Sequence, residues 1–139
     1  MIPLIRAYKA ELQPTPAQAN KIRQTLGICR FVYNLYISEN QKSYDQQKGF
    51  ITAFDFSKWL NNIFLPNNPE YSWIKSVSSK AVKESIQNGE TAFKRFFKHQ
   101  AKFPCYKKKS KTDRVKAYFP RNNKTDWTVE RHRIKIPTL

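Results

Sequence analysis

The chain has 139 residues, of which 40% are hydrophobic and 14% aromatic, so its composition excludes a disordered polypeptide and suits one domain or two small lobes. No apolar run approaches the roughly 20 residues of a membrane span, and the first residues lack the apolar core of a secretory signal. The two cysteines, Cys29 and Cys105, have no cysteine or histidine nearby at metal-ligand spacing. We therefore expect two free thiols in a cytoplasmic protein.

The charge is strongly basic and unevenly distributed. Lys and Arg number 26 and Asp and Glu 10, which gives a net charge of +16. Residues 1–74 hold eight basic and five acidic side chains, whereas residues 75–139 hold 18 basic and five acidic ones. Such repulsion disfavours a compact chain and favours a polyanionic partner. Nucleic acid is the preferred interpretation. An anionic membrane is the rival, but no basic amphipathic helix with a clean apolar face supports it.

The first predicted elements are a strand and a long helix. Residues 4–12 mix apolar and polar positions as a strand does, and Pro14 ends it. Thr15, Pro16 and Gln18 then predict a helix start, because they suit the cap, the first helical position and the third residue of a capping box. The apolar positions of this helix recur at spacings of three and four: Ile22, Leu26, Cys29, Tyr33 and Tyr36, with Ile28, Val32 and Leu35 beside them.

Two glycines and a polar stretch predict irregularities and the end of this first helix. Gly27 costs about 1 kcal/mol relative to alanine inside a helix, so it predicts either a bend or a close backbone approach. The polar residues 39–48 predict an exposed end of the helix, and Gly49 predicts its stop.

Two further helices follow. The second is predicted over residues 53–64 with Phe56, Trp59, Leu60 and Ile63 inside, before a loop over residues 65–69 and an aromatic patch of Tyr71, Trp73 and Ile74 that packs on the core. The third begins at Ser78 or Ser79, with Val77 and Val82 as a hydrophobic staple. Its inner face is Val82, Ile86, Gly89, Phe93 and Phe96, and its outer face is basic: Lys80, Lys83, Lys94, Arg95 and Lys98.

The last part of the chain changes character at residue 102. A lysine run, Lys107, Lys108, Lys109 and Lys111, stands beside aromatic residues that suit stacking on unpaired bases: Phe103, Tyr106, Tyr118 and Phe119. Residues 115–120 alternate like a strand. Residues 127–129 and 133–136 predict a hairpin-like pair.

These elements predict an α+β fold. A helix-turn-helix-like lobe of three or more helices is inserted between an N-terminal strand and C-terminal strands of a small, incomplete β-barrel. The first strand is expected to pair with the last ones, because a lone strand leaves its backbone groups without partners. The predicted units are residues 1–14, the first strand, residues 15–101, the helical lobe, and residues 102–139, the basic loop and returning strands.

We find no sign of a catalytic centre in the sequence. The ten carboxylates are scattered, whereas a two-metal nuclease needs several that converge. His99 and His132 have no suitable partner, and the three glycines lie too far apart for a phosphate-binding loop. We therefore expect no catalytic residue, no metal site and no cofactor in this chain.

Five phrases together resemble the TnpB (OrfB-type) proteins of insertion sequences. They are residues 8–15 (YKAELQPT), residues 26–34 (LGICRFVYN), residues 103–109 (FPCYKKK), residues 133–137 (RIKIP), and the pattern of Trp73, Val77, Ala81, Val82, Ala92, Phe93, Phe96 and Phe97. They follow one another in the family's order and cover nearly the whole chain.

The resemblance implies an N-terminal wedge and recognition part of an RNA-guided DNA endonuclease, with guide RNA and DNA as partners, in the cytoplasm of a prokaryote and associated with its nucleoid. It implies that Ser79, Lys83 and Phe54 approach the target-adjacent motif, and that Lys107, Lys108 and Lys109 approach the nucleic-acid backbone. Lys80, Lys94, Arg95 and Lys111 complete the expected binding set.

This sequence departs from the family in two ways. Cys105 stands where the family has arginine, and the chain ends before the family's RuvC-type nuclease part, so we expect no cleavage by this chain alone. The alternative is a stand-alone helix-turn-helix repressor, motivated by a helix break at Gly27. A third hypothesis is a nuclease whose site is not recognised.

Overall fold

The computed structural model describes residues 3–109 and 128–136 of the chain. The helices are α1 (Pro16–Asp45), α2 (Ala53–Trp59), a π-helical segment (Leu60–Phe64), α3 (Leu65–Asn67), a 3-10 helix (Pro69–Ser76) and α4 (Ser79–Phe97). Two short strands follow, β1 (Thr128–Val129) and β2 (Ile134–Lys135). No helix among these residues is long and apolar enough to cross a membrane.

The start of α1 is confirmed as predicted. The side-chain oxygen of Thr15 accepts the Gln18 N–H at 3.3 Å, and the side-chain oxygen of Gln18 accepts the Thr15 N–H at 2.9 Å. This reciprocal pair satisfies two of the donors that every helix start leaves open. The helix break proposed at Gly27 is wrong, because α1 runs unbroken for 30 residues.

The core lies where α1 packs along α4. The buried side chains of α1 include Ile28, Val32, Tyr33 and Tyr36, and those of α4 include Val82, Ile86 and Phe93. The close approach expected of a glycine occurs at Gly89 and not at Gly27. A Cβ on Gly89 would lie 2.5 Å from Cδ1 of Tyr36, whereas one on Gly27 would meet only the Arg30 guanidinium, at 3.8 Å. Gly89 therefore lets the two helices come together over the Tyr36 ring.

The end of α1 differs from the prediction. The helix ends at Asp45, Gln47 takes a positive φ of 56°, and Gly49 (φ 90°) lies in the loop beyond. The polar stretch is not fully exposed either, because Asn40 and Ser43 are buried. The Asn40 side chain accepts the Ile51 N–H at 2.8 Å, and the Ser43 hydroxyl donates to the Gly49 carbonyl at 2.6 Å. These polar groups are inside because they satisfy the backbone of the loop.

The second predicted helix is present but irregular. Phe56 and Leu60 are buried as expected, whereas Ile63 is 54% exposed because the π-helical turn rotates it outward. The expected loop is partly helical, since residues 65–67 form α3. The aromatic patch is confirmed: the rings of Tyr71 and Trp73 lie 5.6 and 5.0 Å from that of Phe31.

A carboxylate of α4 holds the start of α2. One oxygen of Glu90 accepts the Ala53 N–H at 2.5 Å, and the other pairs with the Lys94 ammonium at 2.9 Å. An anion is favourable at a helix N-terminus, where backbone N–H groups are unpaired. The Ala53 N–H first, and Lys94 after it, hold the pKa of Glu90 below its usual value.

Replacing Glu90 by glutamine is expected to lower the free energy of unfolding at neutral pH by about 1–2 kcal/mol. Because folding lowers the pKa of Glu90, its contribution is present above the pKa of the unfolded chain and is lost as pH falls through the folded pKa. Urea unfolding at neutral and acidic pH should therefore show less acid destabilisation for Glu90→Gln than for the original chain. Glu39→Gln is the control, since the Lys42 partner of Glu39 is 65% exposed and such pairs contribute little. Equal acid sensitivity of all three proteins would contradict this role.

The β-structure is smaller than predicted. Residues 3–15 form no strand, so the strand expected over residues 4–12 is wrong, as is its pairing with the last strands. Leu4, Ile5 and Tyr8 are 74%, 93% and 85% exposed, and no strand among the described residues lies beside this segment to pair with its backbone. The C-terminal hairpin is confirmed, with Thr128 opposite Lys135 and Val129 opposite Ile134. The barrel remains a prediction. Residues 115–120 and Trp127 lie outside the described residues.

Candidate nucleic-acid interface

An open groove of about 1070 Å³ lies between the α2 side of the helical lobe and the first turns of α4. Its apolar floor includes Leu60, Ile74 and Ile86. Four lysines from three segments of the chain line it: Lys58 of α2, Lys75 of the 3-10 helix, and Lys80 and Lys83 of α4. Neither Asp nor Glu is among its lining residues in the part of the chain that the structure describes. The groove is therefore a concave cationic surface, the arrangement that a phosphodiester backbone requires.

The walls of the groove are fixed by one local and two long-range hydrogen bonds. The Ser78 hydroxyl accepts the Ala81 N–H at 3.4 Å and caps α4 at the groove's edge. The preceding 3-10 helix is tied to α1, because the Lys21 ammonium donates to the Ser76 carbonyl and the Gln24 amide donates to the Ser76 hydroxyl at 2.8 Å. Lys75 is thus carried on a segment that two long-range contacts hold in place.

The α2 wall presents an aromatic ring beside a cation. Phe54 is 66% exposed, and the Lys58 ammonium lies 4.4 Å from the centre of its ring. The two residues are one helical turn apart, so their side chains share a face. A cation over a ring is worth about 0.5–1 kcal/mol at an exposed site, and the contact places the ammonium over an exposed apolar surface within the groove.

The structure brings together some of the sequence-predicted site residues and separates others. Phe54, Ser79, Lys80 and Lys83 line the groove together. Lys94 and Arg95 lie near the other end of α4, and Lys94 pairs with Glu90. Lys108 and Lys109 are exposed. Lys111 lies beyond the residues that the structure describes.

Lys107 belongs to a segment clamped on α1. The Asn34 side chain accepts the Lys107 N–H at 2.8 Å and donates to the Lys107 carbonyl at 2.9 Å, across 73 positions of sequence. The Lys107 ammonium lies 4.5 Å from the centre of the Tyr33 ring. The start of the lysine run is therefore held in place, while Lys108 and Lys109 extend from a fixed point.

The expected stacking aromatics have different surroundings. Phe103 packs edge-on against Phe93 and Phe96, with ring centres 5.4 and 5.3 Å apart, so it is part of the packing around the core. Tyr106 is 55% exposed. Tyr118 and Phe119 fall in a stretch for which the structure gives no description.

Sequence reasoning missed several groove residues: Lys58, Lys75, Asn61 and Asn62. For Lys58 a signal existed, because it lies four residues after Phe54 on a predicted helix. For Asn61 and Asn62 none existed, since the π-helical turn that carries them does not follow the 3.6-residue period.

The structure describes no metal-binding cluster. Across residues 3–109 and 128–136, no group of three or more His, Cys, Asp or Glu side chains is placed to hold a metal ion. Both cysteines are free, Cys29 buried and Cys105 exposed. Burial raises the pKa of the Cys29 thiol to about 11, so this thiol is neutral and inert at physiological pH.

Comparison with known proteins agrees with a nucleic-acid interface. Residues 1–49, which include α1, match the OrfB/IS605-type helix-turn-helix domain. The chain is 30% identical over 135 residues to a protein of Escherichia coli (strain K12) named "Putative RNA-guided DNA endonuclease InsQ". It is 27% identical over 117 residues to a "Putative RNA-guided DNA endonuclease" of Streptomyces pristinaespiralis. It is also 28% identical over 113 residues to "Virulence protein VsdF" of Salmonella dublin.

The coverage of these relatives shows which part is shared. The matches span 97% and 84% of this chain but 32% and 28% of the two endonuclease-named proteins, so the chain spans about a third of their length. The match to VsdF spans 76% of this chain and 95% of that protein. Residues 1–49 are thus similar to a helix-turn-helix domain of the OrfB/IS605 type. The resemblance to the TnpB proteins is confirmed, and it lies in their N-terminal part.

Proposed function

We propose that this chain is the nucleic-acid-binding module of a TnpB-like, RNA-guided DNA endonuclease, with guide RNA and target DNA as its partners. The observation that carries the proposal is the groove between α2 and α4, where four lysines, and no Asp or Glu among the residues that the structure describes, line one concave surface. The names of the two endonuclease relatives support the same partners.

In this proposal the groove residues make two kinds of contact, one with phosphates and one with base edges. Lys58, Lys75, Lys80 and Lys83 attract phosphates, and such contacts fix position without reading sequence. The Asn62 amide, the side-chain carbonyl of Asn61 and the Ser79 hydroxyl offer the donors and acceptors that base edges require, whereas the Asn61 amide nitrogen donates to the Ser57 carbonyl at 2.9 Å. We propose that this is the face that approaches a target-adjacent duplex, and that the Lys107–Lys109 run approaches a nucleic-acid backbone.

We further propose that the chain binds without cutting. Its carboxylates are scattered, and Glu90 is engaged at the start of α2. The repressor alternative loses the observation that motivated it, because α1 is continuous through Gly27.

The test is fluorescence anisotropy with the purified chain, a structured RNA and a duplex DNA, over a range of salt concentrations. Binding to both, with log Kd rising linearly with log salt, is the expected result. Affinity for one duplex sequence without RNA would favour the repressor, and metal-dependent cleavage would revive a nuclease. No binding in dilute buffer would overturn the proposal.

A further inference from the structure

A second aromatic surface lies at the far end of α4 from the groove. Phe97, at the C-terminus of α4, is 50% exposed, and Phe50, in the loop after α1, is 37% exposed. Their ring centres lie 5.2 Å apart at an interplanar angle of 88°. Phe97 is 14 residues after Lys83, which is about 21 Å along a helix, so this pair is separate from the groove.

One side of Phe97 is supported by the core. The ring of Phe93, itself 2% exposed, is stacked with it at 6.3 Å and 28°. Phe50 meets it edge-on, and Phe96 lies at 5.7 Å. These contacts restrain the ring, half of which stays exposed. A restrained, half-exposed aromatic ring loses little conformational entropy when a second ring stacks on it.

The surroundings of the pair are cationic. Residues 91–109 hold seven basic side chains and no Asp or Glu. Lys94, three positions before Phe97, lies on the same face of α4 and also pairs with Glu90, and the exposed Lys98 follows Phe97 at the C-cap. Lys48 lies two residues before Phe50 in an exposed stretch. Exposed aromatics set among cations are the combination that single-stranded nucleic acids bind, with phosphates on the cations and bases on the rings.

We propose that Phe97, supported by Phe50, is a stacking site for an unpaired nucleobase of a single-stranded RNA or DNA segment. The proposal rests on the proposed function, since both require nucleic acid on this chain, but it concerns a separate surface and a different form of the ligand. A paired base has both faces covered by its neighbours in the duplex, so this site selects unpaired segments. The excess of cations over residues 91–109 favours this occupant over an apolar protein surface, because phosphates supply counter-charges and an apolar surface does not.

The experiment compares the full chain with Phe97→Leu and Phe97→Tyr. Leucine preserves apolar contact with Phe93 but has no ring face, whereas tyrosine keeps the ring. The probes are fluorescein-labelled oligouridylate and oligothymidylate, each of about 12 nucleotides, and a duplex DNA. We expect Phe97→Leu to weaken binding to the single strands by about tenfold, with the duplex affinity and the salt slope unchanged. Phe97→Tyr should bind like the original chain, and the two oligonucleotides show whether RNA or DNA is preferred.

Three outcomes would overturn the stacking site. One is equal single-strand affinity of Phe97→Leu and the original chain. Another is an equal loss for single strands and duplex, with a lowered melting temperature, which would identify Phe97 as structural. The third is a change in sedimentation without a change in affinity, which would identify the surface as a self-association face. If the original chain binds duplex DNA but Phe97 has no effect, the stacking site alone fails. If it binds none of the probes, the proposed function fails as well.

Discussion

Replacing Lys58, Lys75 and Lys83 together by glutamine is expected to weaken binding to duplex DNA or structured RNA by about 100- to 1000-fold at moderate salt, roughly tenfold for each lost phosphate contact. These three lysines come from three segments but line one groove, whose described lining includes neither Asp nor Glu. Each neutralised phosphate releases condensed counterions, so the slope of log affinity against log salt should also fall, by about 1 for each lysine removed.

A matched control separates the groove from the overall charge. Lys9, Arg23 and Lys42 are exposed and outside the groove, so replacing all three by glutamine removes the same three charges. If net charge alone attracts nucleic acid, both triple variants lose affinity and slope equally. We expect the affinity of the control variant to lie within a fewfold of that of the original chain. A groove variant that binds as tightly as the control would show that the groove is not the binding surface.

Alanine substitution of the two glycines in the long helices is expected to change the free energy of unfolding in opposite directions. Gly89→Ala places a methyl group 2.5 Å from Cδ1 of Tyr36, a side chain with no exposed surface and no room to move. Overpacking of this kind costs about 1–3 kcal/mol, which exceeds the gain of up to about 1 kcal/mol in helix propensity. We expect a net loss of about 1–2 kcal/mol in the free energy of unfolding.

Gly27→Ala is the matched control, because it makes the same chemical change inside α1. Its new Cβ would meet only the Arg30 guanidinium at 3.8 Å, an ordinary contact. This variant is expected to gain about 0.5–1 kcal/mol from the lower entropy of the unfolded chain. Urea unfolding of both variants gives the comparison. A Gly89→Ala protein at least as stable as the original would contradict the close packing of α1 on α4.

The elements that the sequence predicts well are those specified by neighbouring residues. The Thr15–Gln18 capping box and the Ser78 cap act within three positions, so their signals are local and both are found in the structure. The inner face of α4 follows the helical period and is buried from Val82 to Phe93. Phe54, Ser79 and Lys83 were placed by resemblance to a family, and they line one groove.

The predictions that fail depend on distant partners. Gly27 and Gly89 are both glycines inside helices, so the sequence alone does not distinguish them. The Tyr36 ring packed against Gly89 does. Asn40 and Ser43 are polar, yet they are buried because the loop after α1 brings the Ile51 N–H, 11 positions later, to Asn40 and the Gly49 carbonyl, six positions later, to Ser43. A strand over residues 4–12 needs a neighbouring strand, and local alternation cannot supply one. Lys75 joins the groove only because Lys21 and Gln24 hold Ser76 on α1.

The central claim is that the groove lysines contact phosphates, and lysine acylation footprinting tests it most directly. The chain is labelled with an amine-reactive reagent, alone and with saturating nucleic acid, and mass spectrometry gives the labelling rate of each lysine. Slower labelling of Lys58, Lys75, Lys80 and Lys83 in the complex, with Lys42 unchanged, is the predicted result. Full binding with unchanged labelling at these four positions would contradict the account.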